Sequence, residues 1–186
     1  MEFALGVAKL LGFGPLGASP LGAGTPTRFD VEQEFKGQSL ITIVPSVDRA
    51  LIERLKKHPN ELRYIDRRKF EEVVAEIFNG FGYEVELTKR TRDGGKDIIA
   101  IKRREVNLRY LIECKRPNPG SAIGVAAVRQ LWAVKDDEGA SKAVLVTTTS
   151  FSRDAKAFVD RHLWELEARD FDGLLAWIDD YLRIKL

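Results

Sequence analysis

The hydrophobic positions change period several times along the chain, and each change marks an element. In "RRKFEEVVAEIFNGFG", Phe70, Val73, Val74, Ile77, Phe78 and Phe81 share one arc at about 100° per residue, which predicts an amphipathic helix. Asp66 stands where an N-cap belongs, and Gly80 and Gly82 where the helix can stop. Glu72 and Glu76 point away from the arc, while Glu71 lies at its edge beside Phe78. "YEVELT" then reads as a strand, "RDGG" as a turn, and "DIIAIK" and "LRYLIECK" as two further strands. "SAIGVAAVRQLWAVKDD" returns to helical spacing, and "AVLVTTT" is the continuous apolar run of a buried strand. "RDAKAFVDRHLWELEAR" reads as a second amphipathic helix and "DGLLAWIDDYL" as a third. The order α-β-β-β-α-β-α-α predicts an α/β sandwich around a mixed sheet, a hairpin meander followed by a crossover helix to a further strand.

Upstream of this pattern the signal weakens. Residues 1–27, "MEFALGVAKLLGFGPLGASPLGAGTPT", are interrupted throughout by Gly and Pro, with Glu2 at the start and Lys9 inside the compact apolar run. That reads as a flexible low-complexity tail, not a signal peptide or a stable membrane insertion. Residues 28–62 read as an N-terminal extension. It has a short strand in "SLITIVP" and a helix "VDRALIERLKKH", capped by Ser46 and ending near Pro59-Asn60. The main domain is expected over residues 63–186.

Composition narrows the chemistry. The 186 residues are 44% hydrophobic, enough for a true core in one domain. Cys114 is the single cysteine, which excludes intramolecular disulfides and multi-cysteine zinc sites and suits a reducing cytoplasm. His58 and His162 do not form a ligand pair by spacing. Net charge is only +2, yet the window from Lys89 to Lys135 holds twelve Lys and Arg against four acids. A basic middle of this kind suits a polyanion such as nucleic acid.

Inside that middle, two acids sit at the apolar edges of two strands. If "DIIAIK" and "LRYLIECK" form a hairpin centred on Glu105, Asp97 lies opposite Glu113, with Cβ atoms about 4.5–5.5 Å apart. Lys115 shares the face of Glu113 by alternation. Two carboxylates this close repel each other unless a cation lies between them. Oxygen-only ligation favours Mg²⁺, or Mn²⁺, over zinc. Lys115 could orient or help deprotonate an attacking water, and Glu71 could hold a second ion or a metal-bound water. The assembly fits phosphodiester hydrolysis; the alternative is a cross-strand salt-bridge cluster at a sheet end. Gln130, a polar amide in the stripe Ile123, Ala127 and Val134, could reach the same face. Gly94-Gly95 reads either as an ordinary tight turn or as room for a backbone to approach.

The run "FEEVVAEIFNGFGYEVELTKRTRDGGKDIIAI", followed by "LIECK" and "TTTSFSRDA", resembles the Mrr-like restriction endonuclease domain of the PD-(D/E)xK nuclease superfamily, over roughly Arg63 to Asp180. The resemblance implies the restriction-endonuclease-like α-β-β-β-α-β core and a magnesium-dependent endonuclease acting on double-stranded DNA. It makes Asp97 and Glu113 metal ligands, with the Cys114 backbone carbonyl a third, assigns Lys115 to water activation and matches Glu71 to the helix acid. Gln130 and Thr147 to Ser150 match segments near the substrate, so Thr149 and Ser150 are expected DNA contacts. Lys96 stands where the superfamily's name has proline. It joins Arg103, Arg104, Arg109 and Arg116 as an expected DNA contact. Many Mrr-like members carry Gln at the position of Glu113, and a glutamate there strengthens metal binding.

Restriction or defence is the function these features favour. A structure-selective nuclease of the Holliday-junction-resolvase kind would use similar acids, and a non-catalytic DNA-binding module would keep the basic residues alone. A homodimer, and control by a regulatory partner or further domain, are also expected.

Overall fold

The computed structural model describes residues 47–88, 94–103 and 107–184. The glycine-rich tail, the strand expected in "SLITIVP", Ser46, Arg104 and the hairpin centre at Glu105 lie outside the described residues. Helix α1 (Arg49–Lys57) and a 3₁₀ turn (Pro59–Arg63) precede α2 (Arg67–Gly80), β1 (Glu84–Leu87), β2 (Ile98–Arg103) and β3 (Asn107–Lys115). Then follow β4 (Ala122–Ile123), α3 (Val125–Asp137), β5 (Lys142–Thr147), β6 (Ser150–Phe151), α4 (Arg153–Arg161), β7 (Leu166–Arg169) and α5 (Phe171–Ile184). The main sheet runs β1-β2-β3-β5-β7. Its first three strands are antiparallel and the β3, β5 and β7 neighbours are parallel, so the sheet is mixed as expected. β4 and β6 form a separate parallel pair.

Alternation along the central strands sends side chains to two helix layers. Ile98, Ala100, Ile112, Cys114, Val144 and Val146 pack with α1, α2 and α5. On the other face Ala143 and Leu145 pack with α3 and α4, while Ile99 and Leu111 meet Ala140 and Val134. Phe70, Val73, Val74 and Ile77 of α2 are fully buried, each contributing about 1.5–3 kcal/mol of burial free energy. Asp66 caps α2 as expected, its carboxylate accepting from the Arg68 and Lys69 amides. Helix α1 is part of the same core through Ile52 and Leu55, and its cap is Asp48, which accepts from the Leu51 amide at 2.9 Å.

One expectation is corrected. The stretch "RDAKAFVDRHLWELEAR" is not one helix. The chain leaves α4 at His162, turns through Glu165 and Leu166 amide bonds to the His162 carbonyl, and adds β7 beside β5. Leu, Glu, Ala and Arg favour helix locally, but pairing with an unsatisfied strand edge outweighs that propensity. Glu76 points away from the α2 arc, as read, yet is covered. It is buried beneath α5, where it accepts from Tyr181 Oη at 2.6 Å and Asn79 Nδ2 at 3.2 Å. Burial, and then the Glu76 carboxylate, push the Tyr181 phenol well above its ordinary pKa. Gly80 lets α5 come this close, since a Cβ there would lie 2.4 Å from the Tyr181 ring.

Tyr181→Phe is expected to lower stability by about 1–3 kcal/mol, because it removes a donor from a buried carboxylate. Urea unfolding measures this; a change within experimental error would show that Glu76 does not depend on the phenol.

Candidate active site

The candidate site forms where the β2–β3 hairpin ends. The ladder runs from Arg103↔Asn107 to Ile98↔Ile112 in the register expected from the sequence. One step beyond it, the Asp97 amide donates to the Ile112 carbonyl at 2.9 Å, and Asp97 Oδ2 accepts from the Cys114 amide at 2.7 Å. Asp97 is thereby held across from Glu113. Glu113 is buried, Lys115 is half-exposed, and the Lys115 ammonium is paired with the Glu113 carboxylate.

These three side chains line one cavity of about 420 Å³ together with Arg67, Arg116 and Gln130. Gly95 of the Gly94-Gly95 turn forms part of its lining. Both glycines have positive φ, +62° and +85°, a region that side chains strain. A Cβ on Gly95 would lie 3.5 Å from Val134 and 3.9 Å from the Gln130 amide, so the turn packs flush against α3. The buried side of α3 is Val128, Leu131 and Lys135, so Gln130 lies outside the buried stripe, exposed on the flank that overhangs the turn. Thr88 holds the other side of the loop, its hydroxyl donating to the Lys96 and Asp97 carbonyls at 2.9 and 3.1 Å.

Glu71 arrives from the opposite helix layer. It is buried, paired with Arg68 at 2.9 Å, and is not among the described residues lining the cavity. Its field nevertheless reaches the hairpin end. Burial pushes the Cys114 thiol well above its usual pKa, and Asp97, Glu71 and Glu113 push it further, with Lys115 opposing them. Among the described residues no three His, Cys, Asp or Glu side chains make a ready ion cage. An all-oxygen pair with room for water is, however, how Mg²⁺ is commonly held, through one or two carboxylates.

The other expected contacts divide. Arg116 lines the cavity and donates to the Arg63 carbonyl at 3.2 Å. Thr149 is buried and Ser150 exposed; both line a neighbouring polar cleft with Arg63, Ser121 and Asp170. Lys96 is not available as a surface contact, because its side chain is buried and paired with Glu138. Arg109 is also engaged by Glu138, at 2.8 Å. Arg103 pairs with Glu84 at 3.1 Å, at the far end of β2, five residue steps or roughly 17 Å from Ile98. These three follow from the hairpin's length and from partners distant in sequence.

Arg67 was missed, and a signal for it existed. Of the basic run Arg67-Arg68-Lys69, the last two find acids three residues on, Glu71 and Glu72. Arg67 has Phe70 at that spacing, so its exposed guanidinium lines the cavity instead.

A family model described as restriction endonuclease, that of the Mrr catalytic domain, matches residues 62–178. An uncharacterized protein, y4cE of Sinorhizobium fredii (strain NBRC 101917 / NGR234), is 27% identical over 162 residues. That match covers 85% of this chain and 40% of the relative, so the chain spans well under half of that relative's length. The DNA modification-dependent restriction endonuclease AspBHI superposes with a TM-score of 0.50 at 18% identity, over 89% of this chain and 50% of that one, which shows the shared fold. A structure of the MspJI restriction endonuclease with a 27-mer oligonucleotide gives a TM-score of 0.47 at 22% identity, over 69% of this chain and 30% of that one.

The Cys114 thiol is expected to resist alkylation in the folded protein at about pH 8.5, where an ordinary cysteine is half ionised. Iodoacetamide labelling with and without urea checks this; equal rates in both states would contradict the burial and charge assigned to residue 114.

Proposed function

The chain belongs to the Mrr-type restriction endonuclease family, and from that premise we propose that it is a metal-dependent endonuclease hydrolysing phosphodiester bonds in double-stranded DNA, in restriction or defence. The observation that carries this reading is the convergence of Asp97, Glu113 and Lys115 on one cavity, beside Arg67, Arg116 and Gln130.

Asp97, Glu113 and the Cys114 carbonyl would hold Mg²⁺ or Mn²⁺, which supplies a Lewis acid and lowers the pKa of a bound water. The protein's own groups do the rest. Glu113 holds the Lys115 ammonium at the cavity, where its remaining N–H groups orient the attacking water. The hydrogen bond from the Cys114 amide fixes the Asp97 carboxylate, so little reorganisation is needed when substrate arrives. Arg67 and Arg116 bring positive charge to phosphates flanking the cleaved bond. Gln130 offers an amide that can both donate and accept beside the turn. Glu71 acts from behind the sheet as a buried negative charge favouring a cation near residue 114. The single cysteine suits the cytoplasmic setting in which foreign DNA would be met.

Asp97→Ala and Lys115→Ala are each expected to lower cleavage of supercoiled plasmid by at least about 100-fold, and EDTA to abolish it. Arg67→Ala should mainly weaken DNA binding and flatten its salt dependence, by about one unit of log–log slope. Robust cutting by either catalytic variant, or cutting indifferent to EDTA, would sink this mechanism. Preference for four-way junctions over linear duplex would move the substrate to the structure-selective alternative.

A further inference from the structure

We propose that Glu138 is a positioning residue for Asp97: with Lys96 and Arg109 it clamps the Gly-Gly loop onto the end of α3 and so fixes where the catalytic carboxylate stands. The proposal deepens the nuclease reading and takes the role of Asp97 from it.

Lys96 directly precedes Asp97, and its side chain is only 7% exposed. Its ammonium is paired with Glu138 Oε1, while Arg109 Nη2 donates to Glu138 Oε2 at 2.8 Å. Arg109 Nη1 also donates to the Glu138 main-chain carbonyl at 2.9 Å. One residue at the C-cap of α3 is therefore bound by cations from two other places, the loop before β2 and the start of β3. Arg109 is itself anchored, its amide donating to Ser141 Oγ at 3.1 Å and its carbonyl accepting from the Ser141 amide at 2.8 Å.

The glycines show how tightly the loop is seated. A Cβ on Gly94 would lie 3.3 Å from Lys96 Nζ, so the lysine folds back over its own turn. With Gly95 packed on Val134 and Gln130, the loop meets α3 along two turns of helix. Thr88 grips the carbonyls of Lys96 and Asp97 from the side of β1. Asp97 is thus held from two directions, by hydrogen bonds on one side and by the charge cluster on the other.

Charge suits this task better than apolar contact. A buried ion pair adds little net stability, but an unpaired buried ammonium is very unfavourable, so the loop has one acceptable seat rather than several. The clamp also couples the loop to the helix carrying Gln130, setting both walls of the cavity together.

The test compares Glu138→Gln and Lys96→Met with the unmodified chain, using amide hydrogen exchange without metal and calorimetric titration with Mn²⁺. Tyr181→Phe, on the far side of the sheet, serves as the control for a general loss of stability. A clamp predicts that both variants speed exchange selectively at Asp97 and Cys114, whose amides report the seating of the loop. It also predicts Mn²⁺ binding weaker by about tenfold, as for other groups that orient a metal ligand. Tyr181→Phe should change neither selectively. Lys96→Met keeps most of the side-chain length and removes the charge, and gives the answer if Glu138→Gln does not fold. Unchanged exchange at Asp97 and Cys114 in the variants would overturn the clamp. Faster exchange together with Mn²⁺ binding that ignores Asp97→Asn would uphold the clamp and overturn the metal-site reading instead.

Discussion

The pairing of β2 with β3 is the constraint on which the site depends. Ile98 and Ile112 must meet the α2 layer, while Ile99 and Leu111 must meet the α3 side. A slip of one residue would reverse every side chain of the slipped strand, so burial itself enforces the register. Asp97 and Glu113 inherit their opposition from that enforcement, with no contact of their own needed to create it. β5 extends the effect, since its parallel pairing sets Thr147 beside Lys115 and Val146 beside Cys114. The chemistry is placed by the core behind it.

Buried charge is handled in two ways in this fold. Glu76 with Tyr181, and Lys96 with Glu138, are enclosed pairs whose partners come from distant elements and lock those elements together. Glu113 with Lys115 differs, because the lysine is half open to a cavity and the pair lies along one strand. The first kind fixes geometry; the second leaves a charged face for something to bind. Glu71 lies between the two kinds, enclosed by Arg68 yet close enough to add to the negative field at Cys114.

Much of this was legible in the sequence, and the boundary of legibility has a physical cause. The α2 arc, its Asp66 cap and the hairpin register rest on local periodicity and on one alternating pattern, which need no knowledge of neighbours. β7 was not legible, because "LEAR" favours helix and becomes a strand only when β5 offers an edge. Glu76 points away from the apolar arc on a helical wheel, and a wheel cannot show that α5 covers the second face of α2. Lys96 looked like a free cation beside a glycine turn, and its partner lies 42 positions away. Arg67 was readable only by asking which base in a basic run lacked an acid three residues on.

The two ends of the sheet carry a further consequence. Among the described residues β1 and β7 are the edge strands, each only four residues long, and each places charges at alternate positions: Glu84 and Glu86 on one, Glu167 and Arg169 on the other. Glu84 is tied back to the inner strand β2 through Arg103, and Glu167 to β5 through Lys142. An extended chain adding itself to either border would find few backbone groups to pair with and would have to pass charged side chains. The sheet is thereby guarded against growing by strand addition into fibrous aggregates.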